Sequence, residues 1–196
     1  MADPPWTYRD KCVAGERGAG FKYPTLTVDE LCALPINLIS DKDCLLAMWW
    51  VPVMPEEALR VMKAWGFRLA TMKGFTWRKL TKHDKEHFGM GHYTRANSED
   101  CLLAVKGDLE VEELTGEGFA EDCLFAVKGS PKIVSHAVRQ MINAPVRQHS
   151  QKPDEARLAL EQLMGDVPRI ELFARQRYDT WDAFGNEIEG SIVLPT

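Results

Sequence analysis

The chain has 196 residues, 45% hydrophobic and 27% charged, the balance of one soluble domain with its own core. The longest apolar run, Cys44 to Val53, falls short of the roughly 20 residues of a membrane span, and Met1-Ala2-Asp3 carries no basic or apolar leader, so membrane and secreted classes are excluded from the expectation. The formal charge of −5 is unevenly placed: residues 99–122 hold nine acids against Lys106, a net of −8, which leaves +3 on the rest of the chain.

In chain order, the first feature is Asp3-Pro4-Pro5-Trp6. A carboxylate beside a backbone carbonyl held by two prolines suits one chemical task, accepting both N–H bonds of an aromatic amine so that its lone pair is freed. Trp6 adds a flat face for an extruded base. The alternative is a surface turn with a chance tryptophan beside it. Thr27-x-x-Glu30 is a capping box that opens a short helix towards Pro35. Asp43 to Val51 is a continuous apolar run, the pattern of a strand covered on both faces. Pro55-Glu56-Glu57 begins a helix through Trp65, with Leu59, Met62 and Trp65 inward and Gly66 as its stop. A second strand lies within Phe67 to Trp77 and another over Cys101 to Val105. Pro153 opens a helix through Met164, and Arg169 to Ala174 reads as a strand. Strands alternating with helices predict an α/β fold with a mostly parallel sheet, helices on both faces and ligands at the carboxyl ends of strands.

Residues 71–95 hold Lys73, Arg78, Lys79, Lys82, Lys85 and Arg95 against Asp84 and Glu86, with three histidines among them. Such a stretch suits phosphate contacts, and equally an ordinary solvated loop. His83 and His87 have helical spacing, but no glutamate-containing zinc motif accompanies them, so no metal site is expected. Cys12, Cys32, Cys44, Cys101 and Cys123 form no CxxC pair, and their odd number speaks for reduced thiols and a cytoplasmic location. Glu99 to Gly107 recurs as Glu121 to Gly129, identical at eight of nine positions at an offset of 22. Two copies of one strand do not make a solenoid. A local duplication places an acidic insertion around 99–129 within a single domain of residues 1–196. Either copy can be the one in the sheet.

Further blocks follow in a fixed order: Tyr23-Pro24-Thr25, Leu34-Pro35-Ile36, Ala64-Trp65-Gly66-Phe67, Phe75-Thr76-Trp77-Arg78-Lys79, His149-Ser150-Gln151-Lys152-Pro153-Asp154, Glu171-Leu172-Phe173-Ala174-Arg175 and Gly185-Asn186-Glu187. Together with the opening tetrapeptide, this order resembles the Asp-Pro-Pro-Trp family of adenine-N6 methyltransferases over nearly the whole chain, and its compact length is similar to the phage and bacterial branch. The resemblance implies a Rossmann-like fold that binds S-adenosylmethionine and methylates the 6-amino group of adenine. It implies that Asp3, Pro4, Pro5 and Trp6 form the catalytic loop, with Asp3 also meeting the methyl donor. Lys152 would pair with the donor's carboxylate, Phe173 and Arg175 would line its pocket, and Asn186 and Glu187 would take its ribose hydroxyls. Tyr8, Trp77, Lys79, His92 and Tyr93 fall where the family contacts its target.

The substrate implied is DNA, with RNA as the close alternative, because a basic loop serves either polymer. A binding module without catalysis is the reading from another class. Two features set this chain apart from the family pattern. Only Met1 and Ala2 stand where the family has a strand leading into the catalytic loop, from which a poorly held loop is expected. The duplication adds acid near the nucleic-acid side.

Overall fold

The computed structural model of the chain describes residues 1–7, 24–85, 98–99, 122–147 and 151–195. Helix α1 (Val28–Ala33) starts at the anticipated capping box: Thr27 accepts from the Glu30 amide, and the Glu30 carboxylate accepts from the Thr27 amide at 2.7 Å. A short α2 (Ile36–Ile39) follows, then strand β1 (Cys44–Trp50), the apolar run read from the sequence. Helix α3 (Pro55–Ala64) has Pro55 in its first turn and ends where Gly66 takes φ +84. Its inner face is Ala58, Val61 and Met62, with Trp65 just beyond, while Leu59 sits at the margin. Trp65 is fully buried and its indole donates to the Leu31 carbonyl at 2.7 Å, which ties the end of α3 to α1. Truncating such a side chain costs about 3–5 kcal/mol.

After β2 (Arg68–Leu80) come the two-residue β3 (Ser98–Glu99), β4 (Asp122–Lys128) and β5 (Met141–Pro145). Helix α4 (Asp154–Met164) begins directly after Pro153, and two short strands, β6 (Ile170–Leu172) and β7 (Asp182–Phe184), close the described chain. The expected strand over Cys101 to Val105 lies outside the described residues. The second copy of the repeat is β4, and it occupies the sheet between β1 and β2. There Phe125 meets Phe75 edge-on at 4.9 Å, and a Cβ on Gly74 would lie 2.4 Å from the Phe125 ring. Gly74 sits in an irregularity of the β2–β4 ladder, between Thr71 and Phe75, that makes room for that ring.

The sheet is mixed, where a mostly parallel one was expected. β4 runs antiparallel to both β1 and β2, and β3 antiparallel to β2, while β2–β5 and β6–β7 are parallel. The cause is connectivity. β1, α3 and β2 make a crossover that leaves β1 and β2 pointing the same way, and β4 returns along the gap between them. Helices cover both faces as anticipated. α1, α2 and α3 pack on the side of Leu46, Met48, Leu124 and Ala126; α4 packs through Ala156 and Leu160 on the side of Ala47, Trp49, Cys123 and Phe125. The strict alternation along β1 and β4 is the period-2 geometry of a strand buried on both faces. Among the described residues no helix is long and apolar enough to cross a membrane.

Met1 and Ala2 complete this arrangement. Ala2 bridges Met48 of β1 on one side and Leu172 of β6 on the other, both in parallel sense. The Ala2 amide donates to the Ala47 carbonyl at 2.8 Å, Trp49 donates to Ala2 at 2.9 Å, and Leu172 donates to Met1 at 2.9 Å. These two residues therefore link β1 to the β6–β7 pair. The result is a parallel block, β7–β6–Ala2–β1, whose carboxyl ends all face one way. The loop that follows Ala2 is held by that ladder, which corrects the expectation of a loosely held one.

Candidate active site

Four chain segments leave the parallel block at its carboxyl edge, and each delivers site residues. Ala2 runs into Asp3-Pro4-Pro5-Trp6, β1 into Val51, β6 into Phe173 and Arg175, and β7 into Gly185, Asn186 and Glu187. With Lys152, which precedes α4, they line one cavity of about 270 Å³ whose far wall is Pro24, Leu26 and Leu34. Every donor-site residue anticipated from the sequence lies on it. Of the anticipated target contacts, Tyr8, His92 and Tyr93 lie outside the described residues. Trp77 is a core residue: it is 1% exposed, and its indole donates to the Ala144 carbonyl at 2.9 Å, so β2 presents no face of it to a polymer. The Lys79 ammonium sits 5.2 Å from the Trp77 ring centre.

The catalytic-loop candidate is fixed by backbone bonds. Asp3 donates to Leu172, Trp6 donates to the Pro4 carbonyl at 2.8 Å, and Leu26 donates to the Pro5 carbonyl at 3.0 Å. The Trp6 indole N–H donates to the Trp49 carbonyl at 3.1 Å, and the side chain is 4% exposed. A carbonyl oxygen has two lone pairs, so Pro4 keeps one for another donor. The Asp3 carboxylate lies 3.3 Å from the Lys152 ammonium, whose side chain is 5% exposed against 26% for Asp3. The same ammonium lies 5.5 Å from the centre of the Trp49 ring. A lysine taken this far out of water needs both the opposite charge and the ring face. The sequence pointed to Lys152 without its tie to Asp3.

Opposite, Phe173 takes φ +62, a left-handed conformation that costs a bulky residue about 1–2 kcal/mol and is held only where packing compensates. Here it stacks on Trp65 at 6.5 Å and meets Phe184 edge-on at 6.1 Å. The turn brings Ala174 back so that its amide donates to Phe184 at 2.9 Å. Gly185 follows, and a Cβ there would lie 2.1 Å from the Ala174 carbonyl oxygen. Only glycine permits the two strand ends to approach this closely. Arg175 and Glu187 form an ion pair at 3.7 Å on the rim. The Trp50 indole nitrogen on the inner wall is buried with no partner among the described residues.

Behind the cavity lies a group of charges the sequence reading missed. Arg157, on the first turn of α4, is 5% exposed and donates to both Glu171 carboxylate oxygens at 3.0 and 2.9 Å, as well as to Asp154 and Tyr178. Arg147 also bonds Asp154. Burial pushes the Asp154 carboxyl up, but hydrogen bonds from Tyr178, Arg147 and Arg157 outweigh it and hold the group at about 2. Glu171 is pushed up by burial in spite of Arg157, and Tyr178 is raised by burial and by its bond to Asp154. Asp154 thus binds its proton less readily folded than unfolded, where the ordinary value is 3.8. The stability it adds is complete above about pH 4 and is lost as pH falls through its folded value. We expect wild type to exceed Asp154→Asn by about 1–2 kcal/mol at pH 6, discounted for partial exposure, with the gap closing between about pH 4 and pH 2. Urea melts of the pair across that range check this; a gap constant with pH contradicts it.

A family model described as MT-A70 matches residues 1–187 of the chain. The chain is 29% identical over 212 residues to the type II methyltransferase M.MunI of Mycoplasma sp, covering 100% of this chain and 79% of that protein. It is 28% identical over 198 residues to the N(6)-adenosine-methyltransferase catalytic subunit METTL3 of Homo sapiens, covering 99% of this chain and 28% of that one. With the MT-A70-like N(6)-adenosine-methyltransferase of Arabidopsis thaliana the identity is 25% over 194 residues, covering 97% and 23%. The chain thus spans about a quarter of the length of these two eukaryotic relatives. With nearly all of its length matched, including every residue of the cavity, the chain belongs to the MT-A70 family.

Proposed function

We propose that the protein transfers a methyl group from S-adenosylmethionine to the 6-amino group of adenine in DNA, with residues 1–196 forming one Rossmann-like catalytic domain. The observation that carries this reading is the convergence of the Asp-Pro-Pro-Trp loop, Lys152 and the carboxyl ends of β6 and β7 on one cavity. M.MunI, similar over the full chain, is a type II methyltransferase, which favours DNA. The eukaryotic relatives are named adenosine methyltransferases, which supports RNA as the second reading.

The residues present fit the methyl donor. A buried ammonium suits a carboxylate, Asn186 and Glu187 offer acceptors for vicinal hydroxyls, and Gly185 lets the ends of β6 and β7 close on each other beside them as no residue with a Cβ would. S-adenosylmethionine supplies an electrophilic methyl on a sulfonium. The amine's lone pair is conjugated into the ring, and the protein's task is to free it. Asp3 accepts one N–H and the remaining lone pair of Pro4 accepts the other, which favours a pyramidal nitrogen. Trp6 and the apolar wall of Pro24, Leu26 and Leu34 exclude water from the base. The proton leaves after the nitrogen has gained its methyl and become acidic, so Asp3 need not act as a base beforehand. Lys152 holds the Asp3 carboxylate in place through their ion pair.

Labelled-methyl transfer to unmethylated duplex DNA, with single-stranded RNA in parallel, tests the reading. Label on DNA is expected, label on RNA alone selects the second reading, and label on neither polymer contradicts both. Gly185→Ala should weaken S-adenosylmethionine binding by at least about tenfold, because its methyl must push β7 off the Ala174 carbonyl. Calorimetric titration of the variant checks it; unchanged affinity would show that the close approach of β6 and β7 does not shape the donor's site.

A further inference from the structure

We propose that Arg157 is the positioning residue of the site: its guanidinium locks the turn that carries Lys152 to the strand end that carries Phe173 and Arg175. The proposal rests on the methyl-transfer reading and names a residue that reading does not use. Arg157 touches none of the cavity. It acts through its partners, and its two carboxylate partners each stand two residues from a cavity residue. Asp154 is two residues after Lys152. Glu171 is two residues before Phe173, and its neighbour Leu172 bonds the backbone of both Met1 and Asp3. Tyr178 belongs to the segment that joins β6 to β7, and its ring lies 3.7 Å from the guanidinium carbon.

A fork of donors is needed for this. One nitrogen spans both Glu171 oxygens, and the other reaches Asp154 and the Tyr178 hydroxyl. An ammonium is a point donor and cannot hold a helix start, a strand and a loop in one plane. Without the clamp, the start of α4 keeps its Tyr178–Asp154 bond to the segment after β6 but loses its tie to Glu171 on β6 itself. A displacement of about 1 Å there is enough to misplace a reacting group.

Loss of a buried arginine also threatens the fold, so the test separates the two effects. The variants are Arg157→Lys and the double change Arg157→Met with Glu171→Leu, which removes the buried pair and fills its volume. Thermal melts, S-adenosylmethionine titration and steady-state kinetics in the donor are measured on each, alongside wild type. We expect Arg157→Lys to raise the donor Kd and KM at least about tenfold, with the KM for DNA changed less than about threefold. The double variant should recover the melting temperature of wild type while its donor affinity stays at least about tenfold weak. Recovery of donor affinity together with the melting temperature would overturn the proposal, because Arg157 would then be a stability residue alone. A wild type that binds no S-adenosylmethionine would bring down the underlying reading instead, and the proposal with it.

Discussion

Asp3→Asn is expected to lower kcat for methyl transfer by at least about 10³-fold while the Kd for S-adenosylmethionine changes by less than about tenfold. The asparagine amide keeps the shape of the side chain and its place after Ala2. It loses the charge on the acceptor for one N–H of the target amine, and that charge matters most as positive charge develops on the nitrogen. The Lys152 ammonium, 3.3 Å away, also loses its carboxylate partner but keeps the Trp49 ring. Single-turnover kinetics with saturating donor and duplex DNA, beside calorimetric titration of the donor, check the split. Equal loss of binding and rate would contradict the division of labour.

Lys152→Met should act on both quantities. Its ammonium is almost fully buried between Asp3 and Trp49, so on the methyl-transfer reading its removal deprives the donor carboxylate of a cation and Asp3 of its ion-pair partner. We expect the donor Kd to rise about 30- to 100-fold, and kcat at saturating donor to fall about tenfold further. A kcat equal to wild type at saturation would show that Lys152 serves the donor alone and that its pairing with Asp3 has no part in catalysis. The methionine fills a similar volume beside Trp49, so the melting temperature should change little.

Much of this site was legible because its chemistry is local in sequence. Asp3-Pro4-Pro5-Trp6, Lys152-Pro153-Asp154 and Gly185-Asn186-Glu187 each carry their residue types within a few positions, and the capping box at Thr27 and the Pro55-to-Gly66 helix follow from local backbone rules. The pairing of strands was not legible. An apolar run such as Leu45 to Trp50 announces burial on two faces but not the direction of its neighbour, so the antiparallel return of β4 escaped. The repeat left two candidates for that slot, alike but for Leu103 against Phe125. Trp77 was read with Arg78 and Lys79 as a basic, aromatic surface, yet strand alternation turns it inward while Arg78 faces out. Arg157 drew no expectation of its own within the α4 helix. Its place between Ala156 and Leu160 on the apolar stripe of α4 was the available signal, since a charge on that stripe must find partners.

The central claim is that the acid and carbonyl of the Asp3 loop act on the amino nitrogen of adenine. Nucleoside mass spectrometry of duplex DNA incubated with S-adenosylmethionine and either wild type or Asp3→Asn measures this at the level of the atom. The account predicts N6-methyladenine from wild type and at most a trace from the variant. Methylation at a cytosine or at a ring nitrogen, or equal N6-methyladenine from both proteins, would contradict it.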